Sequence, residues 1–124
     1  MEREVMPHTI EFDSAHKRIA IVVAPPISEY DALECFRELR AHPDFRADYG
    51  ILINLLAVDR SLSPTEAEHL GGAMKYLFPG HRIALLRRTL TLTPALDALR
   101  AAATSKTDVR IFSTLDAAEA WLAG

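Results

Sequence analysis

ILINLLAVDRSLSPTEAEHLGGAMKYLFPGHRIALLRR, residues 51–88, is the stretch whose reading decides the fold. It opens with Ile51-Leu52-Ile53-Asn54-Leu55-Leu56, apolar throughout except for Asn54. A run that short and that apolar suits a strand covered on both faces. Ser63-Pro64-Thr65-Glu66 follows. Ser63 can cap a helix, Pro64 fits the first helical position, and Glu66 three residues on completes a capping box. Ala67, Leu70, Gly71, Met74, Leu77 and Phe78 then recur at helical spacing, until Pro79-Gly80 stops the helix. Gly71 on the apolar side costs about 1 kcal/mol of helix propensity against Ala, and close approach of the helix to the sheet would repay it. Ile83-Ala84-Leu85-Leu86 is another buried strand, closed by Arg87-Arg88. Strand, helix, strand with so long a connection implies parallel pairing through a right-handed crossover.

The same rhythm extends both ways. Upstream, Thr9 to Asp13 alternates, with Ile10 and Phe12 on one side. That is a half-buried edge strand. Ser14-Ala15-His16-Lys17 is a hairpin connection to the apolar run Arg18 to Ala24, which Pro25-Pro26 ends. Ser28 precedes a helix predicted over Glu29 to Ala41, with Ala32, Cys35, Phe36 and Leu39 on one face. His42 to Gly50 is the longest irregular stretch. Downstream, Thr93-Pro94 starts a helix whose apolar side holds Leu96, Leu99, Ala102 and Ala103. Val109, Ile111 and Phe112 form the last strand, and Thr114 caps a final helix carrying Leu115, Ala118, Trp121 and Leu122. The expectation is one α/β domain over residues 1–124: a mixed, mostly parallel five-stranded sheet, with strands near 9–13, 18–24, 51–56, 83–87 and 108–112, and four helices.

Composition narrows the function classes. The chain has 124 residues and a formal net charge of −3, from 14 Lys and Arg against 17 Asp and Glu. That balance gives no basic footprint for a nucleic acid. No apolar run reaches the ~20 residues of a membrane span, and Met1 to Met6 lacks the apolar core of a signal peptide. One cysteine forms no internal disulfide. The reading is a reduced, cytoplasmic protein.

Four stretches carry a resemblance. They are the hairpin from Ile10 to Ala24, the His42-Pro43-Asp44-Phe45 segment, the strand from Ile51 with the Leu62-Ser63-Pro64-Thr65-Glu66 run, and RIFSTLDAAEAWL from Arg110 to Leu122. With these the chain resembles the anti-sigma-factor-antagonist (STAS) superfamily, in its small single-domain bacterial branch. The resemblance implies a sequentially ordered β-α superhelix and a non-catalytic role in signalling or protein interaction, with self-association or a protein partner. It also implies that the loop before the second helix is the functional edge. Antagonists of the family carry Asp-Ser-(Ser or Ala)-Gly there, with a residue that a kinase phosphorylates. Here the stretch reads Asp59-Arg60-Ser61-Leu62. Ser61 stands near the phosphorylated position, but the small residue and the glycine after it are missing.

Open α/β sheets bind ligands at the carboxyl ends of their parallel strands. That rim gathers Pro25, Pro26, Asp59, Arg60, Ser61, Arg87, Arg88, Thr89, Ser113 and Thr114. Asp59, Arg60, Ser61, Arg87 and Arg88 are the candidate ligand- or partner-binding residues, with three arginines suited to an anion. The competing reading is plain solvation of strand ends. Ser63 has the same double reading, as a cap or a modification site. Asn54 is expected to have a structural hydrogen bond. The histidines (8, 16, 42, 69 and 81) lack metal-ligand spacing, though His8 and His16 could meet across the hairpin. Cys35 reads as a buried hydrophobe, and Trp121 as closure of the core. No catalytic motif, metal site or cofactor fingerprint is present.

Parity offers a last clue. Ile19, Ile21, Val23, Ile51, Ile53, Leu55, Ile83 and Leu85 share one sheet face. Ala20, Val22, Ala24, Leu52, Asn54, Leu56, Ala84 and Leu86 share the other. Neither is polar enough to face water. A helix must therefore cross to the second face, or a partner or apolar ligand covers it. The alternative function is accordingly a carrier of a small apolar or anionic, lipid-like ligand, with Arg60, Arg87 or Arg88 holding an acidic head.

Overall fold

The structure, a computed structural model, describes residues 8–23, 29–57, 63–88, 94–103 and 107–124. They form strands β1 (His8–Asp13), β2 (Arg18–Val23), β3 (Gly50–Asn54), β4 (Arg82–Leu86) and β5 (Asp108–Phe112). The helices are α1 (Glu29–Ala41), α2 (Pro64–Leu77), α3 (Pro94–Ala103) and α4 (Leu115–Ala123). The sheet order is β1-β2-β3-β4-β5. β1 pairs antiparallel with β2, in register from His8 with Val23 to Asp13 with Arg18. The other three pairings are parallel. The protein is thus α/β, with a mixed sheet, as the alternation of apolar runs and caps predicts.

The two faces follow the parity of the sequence. Ile19, Ile21, Val23, Ile51, Ile53, Ile83, Leu85 and Val109 lie in one buried cluster. Cys35, Phe36 and Leu39 of α1, Ala67, Leu70 and Met74 of α2, and Leu99 of α3 pack into it. Leu52, Ala84 and Leu86 lie in a second cluster, closed by Ala118 of α4 with Phe112, Trp121 and Leu122 against it. So α1, α2 and α3 cover one face, and α4 crosses to the other. α4 is held there by more than apolar area. Arg18 pairs with Glu119 at 3.2 Å. Arg82 donates to the Trp121 carbonyl at 2.8 Å, and the guanidiniums of Arg82 and Arg110 sit 5.4 and 5.2 Å from the Trp121 ring.

Three details differ from the sequence expectation. Gly71 answers a neighbouring helix, not the sheet. A Cβ on it would run into the Leu99 carbonyl oxygen and come to 2.9 Å from the Ala102 Cβ, so its absence lets α2 and α3 touch backbone to backbone. Asn54 ends its strand instead of lying within it. Its Oδ1 accepts from the Leu56 backbone N–H at 2.9 Å, which turns the chain out of β3 after five residues. His16 finds its own hairpin partner, Asp13, at 2.8 Å, and this hydrogen bond holds the Asp13 carboxyl below its usual range. The side chain of His8 lies outside the described residues.

Candidate functional site

The carboxyl ends of β3, β4 and β5 are tied into one rim. The ladder runs one residue past each strand: Leu55 donates to the Leu86 carbonyl at 2.9 Å, and Arg87 to the Phe112 carbonyl at 2.8 Å. Arg87 and Arg88 therefore leave the sheet between the ends of β3 and β5. Parity puts Arg87 on the side of Ile83 and Leu85, the side of the three crossover helices. Arg88 is exposed, and its Nε donates to the Leu56 carbonyl at 3.0 Å. Leu56 is thus held at both of its backbone polar groups, its N–H by Asn54 and its C=O by Arg88. This grip fixes the turn by which the chain leaves β3.

Most of the described polar side chains of this rim have structural tasks. Ser63 Oγ accepts from the Glu66 N–H at 3.1 Å, and Glu66 Oε1 accepts from the Ser63 N–H at 3.0 Å, the reciprocal pair of a capping box. Thr114 Oγ1 accepts from the Ala117 N–H at 3.2 Å and caps α4. Asn54 and Arg88 hold Leu56. Arg87 is the exception. It is half-buried, and its Nη1, like Arg18 Nε and Arg100 Nε away from this rim, is buried with no hydrogen-bond partner among the described residues. A buried guanidinium nitrogen without an acceptor is costly, and an anionic or carbonyl group brought to it would relieve that cost.

Asp59, Arg60 and Ser61, with Pro25, Pro26 and Thr89, lie outside the described residues. Of the five candidate residues, then, the structure describes Arg87 and Arg88, which leave the end of β4 on opposite sides. The grip of Asn54 and Arg88 on Leu56 was not foreseen. Its sequence signal is an amide two residues before the end of an apolar run, next to an arginine one strand along. Val22 and Leu56 were expected to need cover, and they remain 43% and 37% exposed. Both lie on the second face, where α4 reaches β3, β4 and β5.

The cysteine and the histidines whose side chains are described have structural surroundings of their own. Cys35 is buried on α1, and burial, with Glu38 nearby, pushes its thiol up to about 12, so it is a neutral hydrophobe at ordinary pH. His81 is buried, packs against Phe45 and Phe78, and its Nδ1 lies 2.9 Å from the Tyr49 carbonyl. Burial holds its pKa below the usual histidine range. His42 Nδ1 accepts from the Asp44 N–H at 3.0 Å, and His69 meets Glu29 at 2.9 Å, joining α2 to α1. Among the described residues no three His, Cys, Asp or Glu side chains gather as metal ligands do, and no helix is long and apolar enough to cross a membrane. An open cavity of about 250 Å³ lies at the opposite, amino end of the strands, between Asp48, Tyr49, His81 and Arg82.

Compared with protein-family models, with curated proteins and with solved structures, the chain matches none.

Proposed function

We propose that this protein is a non-catalytic regulatory module of STAS type that acts by binding another protein and by self-association. Its docking edge is the rim before α2, where Arg87 receives an acidic group while Arg88 holds the Leu56 carbonyl. The observation that carries the reading is the buried Nη1 of Arg87, a cationic donor with no acceptor among the described residues, at the end of a central strand. The sequential sheet order and the antiparallel first pair also agree with the superhelix that the resemblance implies. The activity proposed is cytoplasmic signalling in a bacterium, with recognition by contact in place of chemistry.

The carrier reading is second. An apolar ligand would lie against the second face, yet Leu52, Ala84 and Leu86 are already buried under α4. The anionic half of that reading still draws on Arg87. Native mass spectrometry of protein purified from its own host separates the two. A retained small-molecule mass lost in Arg87→Met favours the carrier. A retained protein partner, lost in the same variant, favours the module. Chain that sediments as a strict monomer at micromolar concentration and retains no protein overturns the module.

A further inference from the structure

The solvent face of α2 carries features with no use inside the chain. Gly71 and its neighbour Gly72 stand in mid-helix, and only Gly71 has a packing reason. A Cβ on Gly72 would meet nothing within 4 Å, so Gly72 costs the helix about 1 kcal/mol against Ala with no intramolecular return. Four residues on, Tyr76 is 84% exposed. Glu68 and Lys75 are exposed on the same face, and neither has an ion pair or hydrogen bond among the described residues.

We propose that this face of α2 is where two copies of the chain meet, antiparallel, about a two-fold axis at Gly72. The inference rests on the self-association half of the reading above. At about 100° per residue, Glu68 and Lys75 fall on one flank of Gly72, and His69 and Tyr76 on the other. Glu68 and Lys75 are about 10 Å apart along the axis, too far to pair within one helix. A two-fold axis perpendicular to both helices reverses their direction and keeps each flank on its own side. Lys75 then comes level with the partner's Glu68, and Tyr76 with the partner's His69. Gly72 faces the partner's Gly72, where a bare backbone permits close approach. The charge pattern selects the occupant, because one face supplies both the acid and the base at the spacing its own copy needs. Tyr76 supplies the aromatic contact that interfaces favour. A single helix pair is a small interface, so the dimer is expected to form in the micromolar range.

Sedimentation velocity of the full chain, across low to high micromolar concentration, tests this. The wild type is expected to dimerise reversibly. Glu68→Lys and Lys75→Glu should each weaken the dimer about tenfold, and the double exchange should restore it to within about threefold. Circular dichroism melts of each variant confirm the fold, since all these side chains are exposed. A wild type that dimerises but ignores all three variants, or a double exchange that fails to restore the dimer, overturns this interface and leaves self-association standing. A wild type that stays monomeric throughout overturns both the interface and the self-association half of the proposed function.

Discussion

Replacing each of the adjacent glycines of α2 by alanine should move stability in opposite directions, and the gap between the two measures one contact. Both sites are in mid-helix, so each substitution gains about 1 kcal/mol of helix propensity. At Gly72 nothing opposes that gain, because the new methyl meets no atom within 4 Å. At Gly71 the methyl overlaps the Leu99 carbonyl oxygen and lies 2.9 Å from the Ala102 Cβ. Neither obstacle is the end of a flexible chain, so α3 must move. Overpacking costs about 1–3 kcal/mol, and a clash with backbone lies at the upper end, about 2–3 kcal/mol, against the ~1 kcal/mol propensity gain. Gly72→Ala should therefore stabilise by about 1 kcal/mol, and Gly71→Ala should end on the order of 1–2 kcal/mol less stable than wild type. For a chain of this size, 1 kcal/mol is roughly 3–5 °C in Tm. Urea unfolding and thermal melts below micromolar concentration, where association does not contribute, give both numbers. Subtracting one variant from the other cancels the propensity gain and leaves the overlap with α3. If Gly71→Ala proves as stable as Gly72→Ala, α2 and α3 do not meet backbone to backbone as described.

Ser63→Ala should cost ~1 kcal/mol in urea unfolding, because it removes the acceptor for the Glu66 N–H while leaving the rim in place. His81 should make stability pH-dependent. Burial lowers its folded pKa below the unfolded value, so the unfolded chain takes up the proton first. The contribution is whole above about pH 6.5 and is lost as pH falls towards the folded pKa. Urea midpoints at descending pH should show a loss that His81→Gln flattens, and equal slopes in the two proteins would remove His81 as the cause. Arg87→Met should leave the free protein as stable or more so, since it removes a buried nitrogen without an acceptor. If the proposed protein partner docks here, the same variant should abolish its binding, and a clear loss of stability would mean that Arg87 is a structural residue.

The architecture was legible because it rests on local signals that agree with one another. The Ser63 capping box, the Pro-Gly stop after Phe78 and the short apolar runs each act within a few residues, and each stands where the chain changes state. Parity went further. It showed that Leu52, Ala84 and Leu86 needed cover, and α4 supplies it through Ala118, Trp121 and Leu122. Which element would supply the cover was not legible. It depends on contacts such as Arg18 with Glu119, which join residues about a hundred positions apart. The partner of Gly71 was misplaced for the same reason. A missing side chain announces a close approach but does not say to what.

The candidate site was legible only as a list. Sequence order brings strand ends together once the topology is known, and so Arg87 and Arg88 could be placed on one rim. Their separate fates could not. Arg88 is drawn to the Leu56 carbonyl because Asn54 has already turned that peptide outward. Arg87 leaves on the other side of the strand end and keeps a buried nitrogen without an acceptor. Two adjacent arginines of the same charge thus part at the strand end: Arg88 holds the turn that Asn54 makes, and Arg87 is the one proposed for recognition. Asn54→Ala should release the Leu56 N–H and with it the carbonyl that Arg88 holds. The expected cost is on the order of 1 kcal/mol for the lost hydrogen bond. Because Arg87 does not depend on that turn, partner binding should fall less in Asn54→Ala than in Arg87→Met. Equal losses would show that the two arginines work as one unit.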